Sequence, residues 1–222
     1  MKCTGLTLGL TAALVTNVAG QWLGGPVWND PKAGSGFTIY GDYTRPNSDA
    51  GGGTAYSGRV MFGAGSFALT GGVSSWKSDL VSEHITSFGG TAAVRVMGGS
   101  QKPVAVNLQV GGGQGMEIMS NTTTVPVQTM AIGAVGVSVP LHTSVVHLEP
   151  YVSPGVRYHH FSNVAPGAPD HETNFGWVIG GNVDLGPLGI HLAYDSEKFA
   201  DGTTHGVFGI GANIGLHSST GM

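Results

Sequence analysis

The sequence predicts an all-β protein, an antiparallel up-and-down transmembrane β-barrel of about ten strands, with eight strands as the alternative count. Three observations support this fold class. Apolar residues alternate with period two in segment after segment, without a convincing helical pattern between them. Only 10% of the residues are charged, against roughly 25% in a typical soluble domain. The connections between segments alternate between short and long, as in barrels that cross the outer membrane.

The pattern of the first twenty residues predicts a signal peptide. Lys2 supplies a positive start, an apolar stretch of about ten residues follows, and the small residues Val18, Ala19 and Gly20 offer a cleavage site before Gln21. Cleavage would also remove the single cysteine of the chain, so the mature protein would contain no disulfide. We therefore expect export from the cytoplasm.

The remainder divides into three parts. Residues 21–35 are rich in Gly and Pro and predict an irregular N-terminal arm. Residues 36–217 form the predicted barrel, and residues 218–222 form a C-terminal tail. The sequence leaves open whether the arm plugs the barrel or hangs free.

Ten alternating segments predict the ten strands. The apolar faces of the first five are Phe37, Ile39 and Tyr43; Tyr56, Val60, Phe62 and Ala64; Phe67, Leu69 and Val73; Phe88, Ala92, Val94 and Val96; and Val104, Val106, Leu108 and Val110. The faces of the next five are Ala131, Val135, Val137 and Val139; Val146, Leu148, Val152, Val156 and Tyr158; Phe175, Trp177, Ile179, Val183 and Leu185; Leu192 and Tyr194; and Phe208, Ile210, Ala212, Ile214 and Leu216. Short turns are predicted near residues 65, 98–103, 140–144 and 186–189. Longer polar loops are predicted at 47–53, 77–83, 115–125, 161–173 and 196–204. Pro150 and Pro154 argue against the membrane barrel, because proline cannot donate to a strand ladder.

Periodicity alone cannot decide which face of the barrel contacts water. A soluble barrel has its apolar face inside, whereas a membrane barrel has it outside. The polar faces here are rich in Gly, Ala and Ser and too poor in charge for a soluble surface. Aromatic residues also cluster at strand ends, as an interfacial girdle requires; they are Tyr43, Tyr56, Tyr158, Phe175, Trp177, Tyr194 and Phe208. The membrane barrel is therefore favoured over a secreted, soluble, lipocalin-like binding barrel.

Charged residues on the other face predict the contents of the lumen. These are Asp42, Arg59, Arg95, His147, Glu149, Arg157, Asp184, His191 and Asp195. Buried charges must be paired or hydrated, so the set forms either a mutual salt-bridge network or the lining of a small pore. The network is the favoured interpretation, because small barrels are filled by side chains.

The later segments resemble a known group of proteins. The stretches "EPYVSPGVRY" and "NFGWVIGGNVDLGPLGIHLAYDSEKF" look like hairpins of OmpA-like outer-membrane β-barrel proteins. The resemblance implies an outer-membrane location, contact with outer-membrane lipids, and a structural, surface-interaction or small-pore role. Gly211, Ile214 and Leu216 in the last strand partly resemble the assembly signal recognised by the barrel-insertion machinery, which is the second expected partner.

A shorter stretch suggests an enzyme as the alternative. His160 and Ser162 are two residues apart and would share one face of a strand. Together with Phe161 and Asn163 they resemble the His-x-Ser-Asn motif of outer-membrane lipid A 3-O-deacylases, which implies His160 as base, Ser162 as nucleophile and Asn163 as oxyanion donor. Glu172 is the nearest candidate for the acid that orients the base, but parity places it on the lumen face. We therefore expect a protein without catalysis.

Metal and nucleic-acid ligands are not expected. His84, His159, His160, His171 and His205 lie near loop carboxylates but lack a helical ligand spacing. The formal net charge of −4 gives no basic footprint for nucleic acid. The sequence predicts no cofactor, and it does not identify a partner on the loop side.

Overall fold

The computed structural model describes residues 22–29, 31, 36–98, 102–120, 123–125, 127–143, 145–162, 164, 167 and 169–216. The predicted signal peptide, Asn163 and the predicted tail lie outside these residues. Ten long strands form the wall: β1 (Gly36–Pro46), β2 (Thr54–Ala64), β3 (Phe67–Lys77), β4 (Ile85–Met97), β5 (Ala105–Gly115), β6 (Gln128–Ser138), β7 (His147–Phe161), β8 (His171–Leu185), β9 (Leu188–Lys198) and β10 (Thr204–Leu216). No helix in the described part of the chain is long and apolar enough to cross a membrane.

The ten strands close into a barrel. Each strand pairs antiparallel with the next one along the chain, and β10 pairs with β1 from Phe37↔Leu216 to Pro46↔Val207. Closure gives every strand two hydrogen-bonded neighbours and leaves no open sheet edge. The predicted fold class is confirmed, and the strand number is ten rather than eight.

The apolar face of the wall points outward. Val60 on β2 and Val110 on β5 are 48% and 61% exposed, whereas their strand neighbours Arg59 and Gln109 are buried inside. This arrangement is the inverse of a soluble barrel, in which the apolar face is enclosed. The soluble lipocalin-like alternative therefore does not fit this surface.

The connections have different lengths at the two ends of the barrel. The β2–β3 and β8–β9 turns each contain a glycine with positive φ, Gly65 at 63° and Gly186 at 66°, a conformation that side chains disfavour. The opposite end, called the loop end here, carries the two longest connections, residues 116–127 between β5 and β6 and residues 162–170 between β7 and β8. They include a separate small hairpin of two three-residue strands, Ile118–Ser120 and Thr123–Val125.

The β7–β8 hairpin extends further than the sequence predicts. Both strands have 15 residues, and pairing continues to His160↔His171, inside the predicted 161–173 loop. A strand ladder is held by hydrogen bonds between backbone groups. Residues with polar side chains can therefore continue it. The polar composition that predicted a loop therefore describes the tip of a hairpin.

The two prolines of β7 are accommodated within the strand. Pairing between β6 and β7 passes from Val152↔Val137 to Gly155↔Ala134 and skips the residues between, Pro154 among them. Gly136 lies in the skipped part of β6, and its N–H donates to Asn107 Oδ1 at 2.9 Å instead. This buried N–H therefore has a hydrogen-bond partner even where the ladder is interrupted.

Candidate functional site

The N-terminal arm occupies the lumen of the barrel. All of residues 22–29 are buried, with Trp22 1% and Asn29 0% exposed. Asn29 lies near Asn107, close to the turn end of β5, whereas Leu23 contacts Ser87 near the loop end of β4. Along the chain, the arm therefore runs through the lumen from the loop end at Leu23 to the turn end at Asn29.

Backbone groups of the arm are held by side chains of the wall. Leu23 N donates to Ser87 Oγ at 2.9 Å, and Ser74 Oγ donates to the Leu23 carbonyl at 3.1 Å. Further along, Gln109 Nε2 donates to the Trp28 carbonyl at 3.2 Å. Irregular backbone inside a barrel needs such partners, because it cannot join the ladder.

Asn29 is fixed by its side chain on both sides of the lumen. Its Nδ2 donates to Ser153 Oγ on β7 at 2.7 Å. Its Oδ1 accepts from Asn107 Nδ2 on β5 at 2.6 Å. Both polar atoms of this fully buried amide are therefore satisfied.

Apolar side chains of the arm complete two hydrophobic clusters inside the wall. The larger cluster consists of Trp22, Val27, Trp28, Met130, Ile132, Tyr151, Val178 and Ala193. The smaller consists of Leu23, Ala55, Trp76 and Ile85, with Val81 packed against it. Each buried apolar side chain contributes about 1.5–3 kcal/mol relative to exposure. The arm thus provides much of the hydrophobic core.

Glycines in the wall make room for the arm at three places. A Cβ at Gly209 would lie 2.9 Å from Pro26 Cγ and 2.9 Å from Trp28 Cζ2. A Cβ at Gly115 would lie 2.5 Å from Leu23 Cδ1, and one at Gly136 would lie 2.8 Å from the Nδ2 of Asn29. Such distances are too short for real side chains, so the wall is shaped to the arm.

Arg59 forms the first of two buried ionic clusters. Its Nε and Nη2 donate to the two carboxylate oxygens of Asp42 at 2.7 and 3.0 Å, and His191 Nε2 lies 2.6 Å from Asp42 Oδ1. The guanidinium also lies 4.3 Å from the ring centre of Tyr40 and 4.8 Å from that of Trp28. The arm therefore covers a buried cation with an aromatic face.

Arg157 forms the second cluster, together with two carboxylates of β9. Its guanidinium contacts Asp195 Oδ1 at 2.6 Å and Glu197 Oε2 at 2.9 Å. The other Glu197 oxygen lies 2.6 Å from His159 Nε2. Asp195 Oδ2 accepts the Val27 N–H of the arm at 2.8 Å. The Asp195 carboxylate thus joins the Arg157 cluster to the arm.

The nine predicted lumen charges lie in separate groups. Six of them are fully buried: Asp42, Arg59, Glu149, Arg157, His191 and Asp195. Glu149 accepts from Ser138 Oγ at 2.6 Å and lies 3.9 Å from the ring nitrogen of His147. Arg95, His147 and Asp184 are half-buried near the turn end. The inward residues are not one network, because the arm passes between the clusters.

Sequence reasoning missed two members of the Arg157 cluster. The nine predicted lumen charges omit Glu197 and His159, although both are fully buried. Parity was the available signal, since each lies two residues along its strand from a predicted lumen residue, Asp195 and Arg157 respectively.

The candidate catalytic residues do not form a triad. In the β7–β8 register Glu172 lies opposite His159, not His160, and its Oε1 accepts the Ala200 N–H at 2.6 Å. His160 is on the outward face of β7, and its cross-strand partner is His171. A nucleophile needs a base that is itself oriented by a third group. The described residues do not bring that acid to His160.

The predicted loop-side histidines occupy different environments. His159 and His205 are buried, whereas His171 is exposed and lies 2.6 Å from Asp170. Its hydrogen bond lowers the pKa of the Asp170 carboxyl. Within the described ranges, His, Cys, Asp and Glu do not form a group of three or more that could hold a metal ion.

The predicted aromatic girdle lies toward the loop end of the outward face. Tyr43 and Tyr56 are cross-strand partners with ring centres 5.5 Å apart, and Trp177 and Tyr194 have ring centres 6.0 Å apart. Tyr158, Phe175 and Phe208 are 43%, 61% and 44% exposed. Near the turn end, Phe37, Phe62 and Phe67 are also exposed, and they are not part of the predicted girdle.

Comparison with known proteins supports the fold. No protein-family model and no curated protein matches the sequence. The β domain of the Bordetella autotransporter BrkA matches with a TM-score of 0.50 at 9% identity, over 82% of this chain and 100% of that one.

Two further solved structures match with lower TM-scores. The N-terminal β-barrel domain of Pseudomonas aeruginosa OprF has a TM-score of 0.36 at 14% identity, over 81% of this chain and 96% of that one. Neisserial surface protein A has a TM-score of 0.39 at 15% identity, over 82% and 98%. The similarity of fold therefore rests on the β domain of BrkA, whose TM-score reaches 0.50.

Proposed function

We propose that this chain is an outer-membrane β-barrel closed by its own N-terminal arm. It serves as a non-conducting scaffold that anchors the long loops at the cell surface. The observation that carries this proposal is the combination of an apolar outer wall with a lumen filled by residues 22–29. An apolar outer wall favours lipid as the surrounding medium, and a filled lumen favours a structural role over transport.

The outer wall supports location in a membrane. Aromatic residues lie toward both ends of the outward face, with the Tyr43–Tyr56 pair at the loop end and Phe37 and Phe62 at the turn end. Aliphatic side chains such as Val60 fill the zone between them. Two aromatic girdles around an apolar band are typical of barrels in the outer membrane.

The filled lumen supports a closed barrel rather than the small pore. A cavity of about 30 Å³ lies below the arm, lined by Trp28, Tyr40, Arg59 and His191 among others. This space is large enough for about two water molecules. The charges that could have lined a pore are instead paired with each other and with the arm.

The arrangement at the rim supports a role without catalysis. His160 and Ser162 lie beyond the loop-end girdle, but the carboxylate of Glu172 is engaged with the Ala200 backbone. The deacylase hypothesis required that carboxylate beside His160. The geometry therefore favours presentation of loops over hydrolysis.

Two partners follow from this function. Outer-membrane lipids would surround the apolar wall, and the barrel-insertion machinery would assemble it. Ile214 and Leu216 are 42% and 54% exposed on β10, the strand that closes the barrel against β1. They are thus available on the outer surface of the closing strand, as an assembly signal requires.

Fractionation of cells that express the full chain tests this proposal. We expect the protein in the outer-membrane fraction, extracted only by detergent, and electrically silent in a planar bilayer. Recovery from the periplasm without detergent would overturn the membrane assignment. Discrete conductance steps from the folded wild-type protein would overturn closure by the arm.

A further inference from the structure

Charged residues on the wall are sorted by sign between its two faces. In the ten described barrel strands all six carboxylates lie on inward positions: Asp42, Glu149, Glu172, Asp184, Asp195 and Glu197. The outward charged residues are the three cations Arg45, Lys77 and Lys198. Chance placement would not be expected to exclude every carboxylate from the outer face while retaining half of the cations there.

Histidines extend this outward set. His160 and His171 are cross-strand partners on the outward face of β7 and β8. His84 is exposed just before β4, and its Nδ1 lies 3.2 Å from Ser75 Oγ. We call Arg45, Lys77, His84, His160, His171 and Lys198 the basic arc. It runs from β7 through the β10–β1 closure to β4.

The basic arc lies at one height, just beyond the loop-end girdle. Arg45 follows Tyr43 by two residues on β1, and Lys198 follows Tyr194 by four on β9. His160 likewise follows Tyr158 by two residues. Girdle aromatics lie at the boundary between the hydrocarbon and the headgroups. The arc is therefore level with lipid headgroups of the outer leaflet.

We propose that the basic arc binds the phosphate groups of anionic lipid headgroups in the outer leaflet. This inference rests on the proposed membrane location and adds the lipid class that the protein selects. Guanidinium, ammonium and imidazole groups donate hydrogen bonds to phosphate oxygens, and anionic headgroups attract Lys and Arg near the membrane surface.

The neighbours of the arc leave its charges directed outward. Lys77 Nζ donates to the carbonyls of Val81 and Ser82, which are neutral acceptors. Asp170 lies at the same rim and contacts His171, and Asp79 accepts the Gly53 N–H at 2.8 Å. The surface therefore complements an anion more than a zwitterion.

Trp177 provides a built-in reporter for this proposal. It faces outward at the loop-end girdle, whereas Trp22, Trp28 and Trp76 are buried inside the barrel. Lipids with brominated chains quench tryptophans that contact them. The purified full chain is placed in phosphatidylcholine bilayers with equal mole fractions of brominated phosphatidylglycerol or brominated phosphatidylcholine, and Trp177 quenching is compared.

The wild type is expected to prefer the anionic lipid by roughly fivefold, the factor that one cation near an anionic surface contributes on its own. The triple variant Arg45→Gln, Lys77→Gln and Lys198→Gln is expected to lose most of this preference. Lys102→Gln is the matched control, because Lys102 is exposed in the turn between β4 and β5 at the opposite end. It is expected to leave Trp177 quenching unchanged.

The outcomes separate the two proposals. Equal quenching by both lipids in the wild type, or the same preference in wild type and triple variant, would overturn the basic arc as the anionic site. An absence of quenching by either lipid would show that Trp177 does not face the bilayer. That result would overturn the proposed membrane barrel itself.

Discussion

Gly209 on β10 offers the most specific perturbation of the contact between arm and wall. Its substitution by alanine adds a methyl group that would lie 2.9 Å from Pro26 Cγ and 2.9 Å from Trp28 Cζ2. Trp28 cannot move freely, because it is buried in the larger cluster and its carbonyl is held by Gln109. The methyl group must therefore displace the arm or strain the wall.

The expected cost follows from overpacking. Insertion of a methyl group into a filled interior costs about 1–3 kcal/mol. Gly41→Ala is the matched control, since a Cβ there meets nothing within 4 Å on the outward face of β1. Alanine in a strand is favoured over glycine by about 0.5–1 kcal/mol, so Gly41→Ala is expected to be neutral or slightly stabilising.

A double-mutant cycle isolates the contribution of the arm. Urea unfolding, followed by the β-sheet circular dichroism signal in lipid vesicles, is measured for Gly209→Ala with and without residues 22–29. In the full chain Gly209→Ala should lower the free energy of unfolding by about 1–3 kcal/mol relative to Gly41→Ala. Without the arm the two variants should be alike.

The cycle can also refute the contact. If Gly209→Ala is as harmless as Gly41→Ala in the full chain, the arm does not pack against β10. If its cost persists after removal of residues 22–29, the strain lies within the wall itself. Either result would contradict a lumen shaped to the arm.

Three further substitutions test the clusters and the rim. Asp195→Asn is expected to lower the free energy of unfolding by about 3–5 kcal/mol, as for a broken buried ion pair, which urea unfolding measures. It is also expected to loosen the arm at Val27, which protection of the arm from protease measures. Arg59→Met should destabilise by a similar amount, since it leaves the Asp42 carboxylate buried without its guanidinium, and urea unfolding measures the loss. Ser162→Ala is expected to leave the acyl chains of lipid A unchanged by mass spectrometry, and a difference from wild type would restore the deacylase hypothesis.

The wall could be predicted from the sequence because strand alternation is a local signal. Val104 to Val110 and Phe208 to Leu216 alternate so regularly that parity alone assigns their faces. Parity also placed Tyr43 and Trp177 on the outward face. The ends of β7 and β8 were harder, because polar residues at a hairpin tip have the composition of a loop.

The position of the arm could not be predicted for a physical reason. Residues 22–29 have no period, and their partners Ser87, Asp195 and Gln109 are more than 60 positions away in the sequence. Such contacts exist only after the barrel closes. The tryptophans and the Gly and Pro residues of the arm are as compatible with a free segment as with a buried irregular one. Composition therefore did not distinguish the two arrangements.

We propose that the arm seals an outer-membrane barrel, and single-channel recording tests this proposal most directly. Wild-type protein and a variant lacking residues 22–29 are reconstituted separately in planar bilayers, after circular dichroism has shown that both retain their β-sheet. The wild type is expected to remain silent and the variant to give discrete conductance steps. Conductance of the same size from both proteins would contradict the claim.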